Sequence, residues 1–447
     1  MGELFGTDGI RGVAGEFPLD VTTIERIGYV LAGELKARLD RGPYIVVGGD
    51  TRESTAWIES AFARGAQAAE AQVCSAGVIT TPGLAYLARV LGADAGVVIS
   101  ASHNPYRDNG IKVFGPSGGK LDEATERAIE GKLRNGTGSF PSMLDTAIES
   151  DPLLTDRYLA FLRDEMAAGL DLKQMRLAVD CANGAASALA PRLFSALGAS
   201  VHAINAEPNG RNINLDCGSL HPGKLAQLVR EHKANIGMAF DGDADRLLLV
   251  DEHGAVVNGD HIMYILAKEL DRRGRLSGRR VVATVMSNIG LELALAEHNI
   301  KLVRTQVGDK YVLEELLTNG GSIGGEQSGH IILPDISLAG DGIITALEIL
   351  RLITTSGKSL GQLTNGLKSY PQVLVNVRVS SKPPLDTVVP VQAAIAALEK
   401  EIGNQGRLLV RYSGTENLAR VMLEGKDDAV IRRQADDLAS LIRQHIG

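Results

Sequence analysis

A serine and a histidine stand at the end of an apolar run in the first quarter of the chain. Ser102 and His103 follow Ala95–Ile99, whose β-branched residues are typical of a buried parallel strand. The carboxyl ends of such strands are where α/β proteins bind their ligands. A hydroxyl there, with an imidazole beside it and Pro105 to hold the turn, could act as a nucleophile. The alternative is that these residues only form a turn or cap a helix.

Three aspartates at alternate positions follow a second apolar run. Asp241, Asp243 and Asp245 come directly after Phe240. Carboxylates that converge in a tight loop can bind Mg²⁺, which accepts carboxylate and phosphate oxygens as ligands. Without a cation the three acids would repel one another, and this favours a metal site. The alternatives are a calcium-binding EF-hand loop, whose sixth position needs a glycine where this chain has an arginine, and a turn of solvated acids.

A third candidate loop, near the end of the sequence, combines cations, hydroxyls and a glycine. Arg411, Ser413, Gly414 and Thr415 occupy one short stretch, and Arg420 follows it. Guanidinium groups, hydroxyls and backbone N–H groups together suit a phosphate dianion, because they supply charge and several directed donors. An ordinary surface turn is the alternative.

Glycine-flanked residues mark three further loops. Glu326 and Ser328 lie between glycines, ahead of His330, and could exchange hydrogen bonds with sugar hydroxyls. Arg11 lies among glycines near the start of the chain, where a phosphate-contacting loop and a flexible turn are equally compatible with the sequence. The stretch that ends at Lys120 lacks the spacing of a nucleotide-binding loop and is predicted to be a hairpin turn.

The elements that must position these loops form a repeat. The order strand, helix, strand, helix, strand occurs three times, and each third strand runs into one of the loops that carry Ser102, the three aspartates or Glu326. This predicts three similar doubly wound α/β domains, followed by a small α+β domain. The predicted domains span residues 1–150, 151–253, 254–370 and 371–447. The predicted strands include 44–47, 76–79, 95–99, 177–179, 201–204, 236–240, 281–285 and 302–307, and the last domain has helices at 391–402 and 428–445 and strands at 407–411 and 419–424.

Composition and charge narrow the class of protein. The chain has 447 residues, a net charge of −8 and 44% hydrophobic residues, which is typical of a globular protein and argues against nucleic-acid binding. No apolar run is long enough to span a membrane and no signal peptide is evident, so we expect a cytoplasmic protein without a membrane partner. Cys74, Cys181 and Cys217 show no metal-binding spacing and are predicted to be reduced and structural.

With these loops identified, the chain resembles the α-D-phosphohexomutase family over essentially its whole length. The serine loop, the DGDADR loop, the GEQSGH loop and the RYSGTE loop occur in the family's order. The resemblance implies a heart-shaped architecture of four domains and homodimers. The FGTDGIRG stretch, Gln327 and the segment 208–219 are similar to the branch of the family that acts on glucosamine phosphates.

The resemblance also implies a role for each candidate residue. Ser102 would carry the phosphoryl group as a phosphoserine and contact Mg²⁺ together with the three aspartates. The other roles implied are contact with the transferring group for Arg11, His103, Lys112 and Arg246, recognition of sugar hydroxyls for Glu326, Ser328 and His330, and binding of the second phosphate for Arg411, Ser413, Gly414, Thr415 and Arg420. We expect the C-terminal domain to close over the substrate and so keep water from the phosphoserine.

The implied reaction interconverts glucosamine 6-phosphate and glucosamine 1-phosphate through a hexose 1,6-bisphosphate. Lys112 is the predicted general base, because burial and a neighbouring metal could lower its pKa, and His103 is the alternative. Other candidate functions are the same reaction on mannose or glucose phosphates and a non-catalytic sugar-phosphate binding protein. A serine hydrolase is disfavoured, since the chain lacks a GxSxG elbow.

Overall fold

The computed structural model describes residues 4–6, 8–135, 148–403, 406–413 and 417–447. The chain divides into two units, one of Met1–Met286 with Val303–Asn365 and the other of Ser287–Leu302 with Gly366–Gly447. Within the described residues no helix combines the length and the apolar character needed to cross a membrane. The predicted domain boundaries at 150, 253 and 370 remain predictions.

The first repeat forms a six-stranded mixed sheet with helices on both faces, in the order β1-β5-β4-β2-β3-β6. Side chains alternate along β2, where Ile45 and Val47 pack under α1 and α2 while Val46 packs on the opposite face with α3. The alternation confirms a doubly wound arrangement. The elements are β1 Ile10–Val13, α1 Val21–Leu39, β2 Tyr44–Gly49, α2 Thr55–Ala68, β3 Gln72–Val78, α3 Thr81–Val90, β4 Ala95–Ile99, β5 Asp108–Phe114, α4 Glu123–Asn135 and β6 Glu149–Ser150.

The second and third repeats form sheets of five and four strands, ordered β11-β10-β9-β7-β8 and β13-β12-β14-β15. The second repeat comprises α5 Leu153–Ala160, which continues as a π-helical turn at Phe161–Met166, β7 Arg176–Asp180, α6 Ala186–Ala196, β8 Ser200–Ile204, α7 Gly223–Glu231, β9 Ile236–Phe240, β10 Leu247–Val250 and β11 Val256–Val257. The third comprises α8 Gly259–Arg272, β12 Arg280–Thr284, α9 Ile289–Ala296, β13 Lys301–Thr305, α10 Asp309–Asn319, β14 Gly324–Gly325, β15 Ile331–Ile332, α11 Gly342–Ser356 and α12 Leu360–Leu363. Three-residue 3₁₀ turns lie at Gly218–Leu220, Ser277–Arg279 and Leu385–Thr387.

Each repeat ends in an antiparallel pair that the sequence did not fully predict. In the first repeat β4 pairs with the antiparallel strand β5, in the second β9 pairs with β10, and in the third the short β14 pairs with β15. The connecting loops are residues 100–107, 241–246 and 326–330, which contain the candidate site residues. Because both ends of each loop are fixed by strand hydrogen bonds, the loops have little freedom to move.

The second unit contains a three-stranded antiparallel sheet in the order β16-β18-β17. Its elements after residue 365 are β16 Gln372–Arg378, α13 Val389–Ile402, β17 Arg407–Tyr412, β18 Leu418–Glu424 and α14 Asp428–Ile446. The apolar residues of α14 pack on this sheet, with Ala435 and Ile442 fully buried against Val377 and Val421. Asp427 begins α14 by accepting from the N–H groups of Ala429 and Val430. The small α+β fold predicted for this part of the chain is therefore confirmed.

Glycine permits the close crossing of α1 and α2 beneath the first sheet. A Cβ atom added at Gly28 would lie 2.1 Å from the carbonyl oxygen of Phe62, whereas one added at Gly33, on the same helix, would meet nothing within 4 Å.

We therefore predict that Gly28→Ala destabilises the protein by about 1–3 kcal/mol, because the helices would have to separate. Gly33→Ala is the matched control, and we expect it to be neutral or slightly stabilising, since alanine is the better helix former. Urea unfolding followed by circular dichroism measures both changes. Equal stability of the two variants would contradict the crossing described.

Candidate active site

Ser102 lies in the loop 100–107, the serine loop, and its hydroxyl is directed at the loop 241–246, the acidic loop, which carries the three aspartates. It is 1% exposed, and its Oγ donates to Oδ2 of Asp241 at 2.5 Å. Nδ1 of His103 is 3.4 Å from the same Oγ. The backbone of Ser102 is left-handed, with φ at 53°, a conformation that costs a non-glycine residue roughly 1–2 kcal/mol. Such strain at a functional side chain requires surrounding contacts that hold it.

The three aspartates converge as the metal hypothesis requires. Oxygen atoms of Asp241, Asp243 and Asp245 all lie within 4.8 Å of one another, and the three residues are buried. Ala244 is left-handed, with φ at 57°, and this turn brings its two neighbours to the same side. Both alternatives are wrong, since the acids are not solvated and the loop leads directly into β10 rather than into the second helix of an EF-hand.

Helix N-termini from all three repeats hold the backbone of this acidic loop. The N–H of Ala185, before α6, donates to the carbonyl of Gly242 at 2.8 Å. The N–H of Thr81, at the start of α3, donates to Asp243 O, and the N–H of Gly342, at the start of α11, donates to Ala244 O, each at 3.0 Å. The first N–H groups of a helix have no partner within it and carry partial positive charge. They therefore stabilise a loop crowded with negative charge.

Two carboxylate oxygens of the acidic loop accept no hydrogen bond from the residues that the structure describes. They are Oδ1 of Asp243 and Oδ1 of Asp245, both buried, although buried acceptors are nearly always satisfied. Burial, together with Asp245 and Asp243, raises the pKa of Asp241 well above its ordinary value. A divalent cation would satisfy the orphaned oxygens and offset the repulsion, so this donor set fits the oxygen-liganded metal that the sequence predicted.

Lys112 contacts the same carboxylates from β5. Its Nζ lies 2.9 Å from Asp243, 3.0 Å from Asp8 and 3.4 Å from Asp245. Burial lowers the pKa of Lys112, but the three carboxylates raise it more, and the pKa lies well above its usual value. The lowered pKa that the sequence suggested for Lys112 is therefore wrong. The ionised carboxylates raise this pKa by more than burial lowers it. In this state Lys112 is an ammonium group that supplies charge and cannot accept a proton.

His103 has the opposite electrostatic character. Burial, with Arg246 and Arg11 as further causes, lowers the pKa of His103 to about 4. The imidazole is therefore neutral near pH 7 and can accept a proton. Of the two candidate bases, it is the one with a free lone pair in this arrangement.

A half-buried ion network extends beyond Lys112, and the sequence did not predict it. Nζ of Lys120 lies 2.7 Å from Asp8 and 2.6 Å from Asp309, and Asp8 also pairs with Arg11. The predicted hairpin turn that ends at Lys120 is confirmed, since Phe114 and Lys120 form an antiparallel bridge. The sequence signal that could have indicated this network is the position of Asp309, just after the predicted strand 302–307.

A cleft of ≈ 380 Å³ opens beside the acidic loop. Its walls include Arg11, Arg246, Glu326, His330 and Asp245, so it brings four predicted contact residues next to one predicted metal ligand. Burial lowers the pKa of His330, but Asp245, Asp309 and Glu326 raise it to about 9, so the ring is a cation near pH 7. The volume suits a sugar phosphate, and the two guanidinium groups suit its anionic end.

The Glu326 carboxylate is held by a hydroxyl of its own loop, 326–330, and by a backbone N–H from another segment. Glu326 accepts from Ser328 Oγ at 3.3 Å and from the N–H of Gly308 at 3.3 Å. Gln327 points elsewhere, since its Nε2 donates to Asp260 Oδ2 at 3.0 Å. Gln327, one of the three features that resemble the glucosamine branch, therefore anchors this loop to the start of α8.

The candidate phosphate residues lie in the second unit. Arg411 and Arg420 are direct partners across the β17–β18 pair. Like charges in such a position destabilise a sheet, and burial followed by Arg420 lowers the pKa of Arg411. An anion between the two guanidinium groups would offset this repulsion. Ser413 is buried beside them, while Gly414 and Thr415 lie outside the described residues.

We predict that the protein binds one divalent cation in the acidic loop, and that Asp243→Asn weakens Mg²⁺ binding at least about tenfold because it removes a charged ligand. Asp335→Asn, which changes an exposed aspartate, is the matched control. Calorimetric titration with Mg²⁺ measures both variants. Unchanged affinity in Asp243→Asn would show that the cation binds elsewhere.

Sequence models of four domains of one family match the chain in order. They are described as phosphoglucomutase/phosphomannomutase, with alpha/beta/alpha domains I, II and III matching residues 2–139, 156–254 and 258–370, and the C-terminal domain matching residues 374–441. Together these matches cover most of the chain.

Known proteins are similar over the full length. The phosphoglucosamine mutase of Solibacter usitatus is 49% identical across 100% of this chain and 99% of its own length. A phosphoglucomutase/phosphomannomutase family protein from Burkholderia thailandensis superposes with a TM-score of 0.81 at 25% identity, covering 99% of this chain and 97% of that one. An Aspergillus fumigatus N-acetylphosphoglucosamine mutase, solved with GlcNAc-6P and magnesium, has the same fold, with a TM-score of 0.67 at 18% identity over 99% of this chain and 96% of that one.

The order of the four domains, the full-length identity and the shared fold agree with one another. The chain therefore belongs to the phosphoglucomutase/phosphomannomutase family of sugar-phosphate mutases, which are isomerases, and within that family to the phosphoglucosamine mutases.

Proposed function

We propose that this chain interconverts glucosamine 6-phosphate and glucosamine 1-phosphate, with Ser102 as the phosphoryl carrier and Mg²⁺ as the metal. The observation that carries the proposal is the contact of Ser102 Oγ with Asp241 at 2.5 Å, beside two orphaned carboxylate oxygens. A hydroxyl needs no such neighbours to cap a turn. It does need them when its phosphate must share a cation with the acids.

The proposed reaction is two phosphoryl transfers in sequence. The O1 hydroxyl of glucosamine 6-phosphate attacks the phosphorus of phosphorylated Ser102, its proton passes to a base, the bond from phosphorus to Oγ breaks, and Oγ takes up a proton. The product is a 1,6-bisphosphate. After this intermediate turns over, Ser102 Oγ gives up its proton and attacks the phosphorus at the 6 position, the bond from phosphorus to O6 breaks, and O6 takes up a proton. The phosphoserine is thereby restored and glucosamine 1-phosphate is left.

The charges that face the cleft support this assignment. A transferring phosphoryl group spreads negative charge over its equatorial oxygens, and catalysis consists largely of neutralising that charge in a fixed geometry. Arg11 and Arg246 line the cleft, and Lys112 lies next to the acidic loop. Mg²⁺, when bound by Ser102 and the three aspartates, would supply the remaining positive charge.

We propose that neutral His103 is the base and that Lys112 acts through its charge. The lowered pKa of His103 and its 3.4 Å distance from Ser102 Oγ support the first role. The carboxylates around Lys112, which keep it protonated, support the second. This reverses the preference that the sequence suggested.

We assign recognition of the sugar hydroxyls to Glu326, Ser328 and the protonated His330. The presence of Glu326 and His330 in the cleft wall supports this assignment. The proposal for Arg411, Ser413, Gly414, Thr415 and Arg420 as ligands of the second phosphate rests on the like-charged pair in β17 and β18. We also propose a cytoplasmic location and, because the family resemblance implies it, a homodimer.

The experiment is ³¹P NMR of the protein with Mg²⁺ and a trace of glucose 1,6-bisphosphate. Glucosamine 6-phosphate, mannose 6-phosphate and glucose 6-phosphate are supplied in parallel, and we expect the amino sugar to be converted fastest. Faster conversion of a hexose phosphate would overturn the substrate assignment while leaving the mechanism. No conversion of any of them, with Ser102 phosphorylated, would favour a binding protein.

We predict that Ser102→Ala lowers turnover by at least about 10⁴-fold, because the phosphoryl acceptor is lost. Ser60→Ala is the control, since Ser60 bonds only the helix carbonyl of Ala56 among the contacts described. Intact-protein mass spectrometry checks the cause. A phosphate that still appears on Ser102→Ala at full stoichiometry would place the carrier on another residue.

A second prediction separates the charge of Lys112 from a proton-accepting role. Lys112→Met should lower kcat by about 10²–10³-fold, as the loss of one fixed charge does at such sites. Lys112→Arg should recover part of this activity, since arginine keeps the charge but cannot act as a base. The kcat values of both variants are measured on glucosamine 6-phosphate. Equal loss in two folded variants would return the base to Lys112.

A further inference from the structure

Asn214 lies in the segment 208–219, to which the sequence assigned no chemistry. Its Nδ2 donates to the carbonyl of Ser102 at 2.9 Å and to the carbonyl of Asn104 at 3.0 Å. One side-chain amide thus spans the serine loop from a different repeat of the fold. We propose that Asn214 is a positioning residue that holds Ser102 in its reactive conformation, an inference that rests on the proposed role of Ser102 as phosphoryl carrier.

The same two carbonyls have a second donor. The guanidinium group of Arg52 donates to Ser102 O at 3.2 Å and to Asn104 O at 2.6 Å. Arg52 and its partner Asp50 have fully buried side chains, so this contact is fixed from the β2 end of the first sheet. Two carbonyl groups of the serine loop therefore each accept hydrogen bonds from two side chains, those of Asn214 and Arg52.

Gly242 also packs against the carbonyl group of Ser102. Asn214, Arg52 and Gly242 together surround this carbonyl group, and we call the three residues the carbonyl cage. A Cβ atom there would lie 2.5 Å from Ser102 O and 2.9 Å from Asn214 Nδ2. The acidic loop, the serine loop and Asn214 therefore meet at one carbonyl group. The direction of that carbonyl fixes the peptide that follows Ser102, and so fixes how Oγ faces Asp241.

The strain at Ser102 explains why such a cage is needed. A left-handed backbone is unfavourable for serine by about as much as one or two net hydrogen bonds contribute. Without the donors, the loop gains by relaxing to an ordinary backbone conformation. Oγ would then move away from its position at 2.5 Å from Asp241.

Asn214 is itself held firmly. Its N–H donates to the carbonyl of Ala182 at 2.9 Å, and Gly218, further along the same segment, donates its N–H to Asp180 Oδ2 at 3.0 Å. Asp180 is the last residue of β7, so the segment is fixed to the carboxyl edge of the second sheet. Asn214 also has a positive φ, 58°, which asparagine tolerates better than most residues.

The test uses two variants that suit this backbone. Asn214→Gly removes the amide and tolerates the positive φ, and Asn214→Asp keeps the shape but has no N–H to donate. We expect both to lower kcat for glucosamine 6-phosphate by at least about tenfold, with KM changed less than about threefold, because the nucleophile and not the substrate is displaced. Phosphorylation of Ser102 by glucose 1,6-bisphosphate, followed by intact mass, should slow in parallel.

Arg211→Ala is the matched control from the same segment, since its side chain is exposed and pairs with Glu53. Thermal unfolding of all variants verifies that they fold. Wild-type kcat in Asn214→Gly, or full activity in Asn214→Asp, would overturn the inference, the latter because shape alone would then suffice. A wild-type protein that neither isomerises the sugar phosphate nor phosphorylates Ser102 would instead overturn the proposed function.

Discussion

Three buried carboxylates within 4.8 Å of one another are the constraint on which this structure depends. Their repulsion in a low-dielectric interior opposes folding unless positive charge surrounds them. The fold supplies part of this positive charge through helix N-termini. N–H groups at the N-terminal ends of α3, α6 and α11 each donate to a backbone carbonyl of the acidic loop. Each of these helices comes from a different repeat. N-termini of helices from all three repeats therefore meet at the acidic loop.

The same geometry determines where Ser102 can lie. Each repeat turns its last parallel strand back along an antiparallel partner, and the connecting loop is short and fixed at both ends. The loop that carries Ser102 and the loop that carries the aspartates are equivalent parts of neighbouring repeats. A carbonyl cage formed by Asn214, Arg52 and Gly242 then sets the orientation of the serine.

Electrostatics in the cleft are local and do not follow the net charge. The chain carries a net charge of −8, and the cleft walls hold the cations Arg11, Arg246 and protonated His330 beside the acids Asp8, Asp245, Asp309 and Glu326. The ion network of Lys112, Asp8, Lys120 and Asp309 alternates in sign, so each charge in it has opposite neighbours. A phosphate dianion can enter such a site without a large basic surface.

The sequence by itself predicted the loops with candidate residues, the order of the strands along the chain and the residue types of the candidate metal site, because period, spacing and donor chemistry are local properties. Ala95–Ile99 and Ile236–Phe240 were predicted with their observed bounds for this reason. The two-residue strand β14 and the antiparallel strand β5 were not, since their pairing partners decide them. Only the tertiary structure decided that Lys112 is a cation, that Gln327 anchors a loop and that Asn214 reaches Ser102. Each of these depends on groups far apart in sequence, whose distances and shared burial no local pattern encodes.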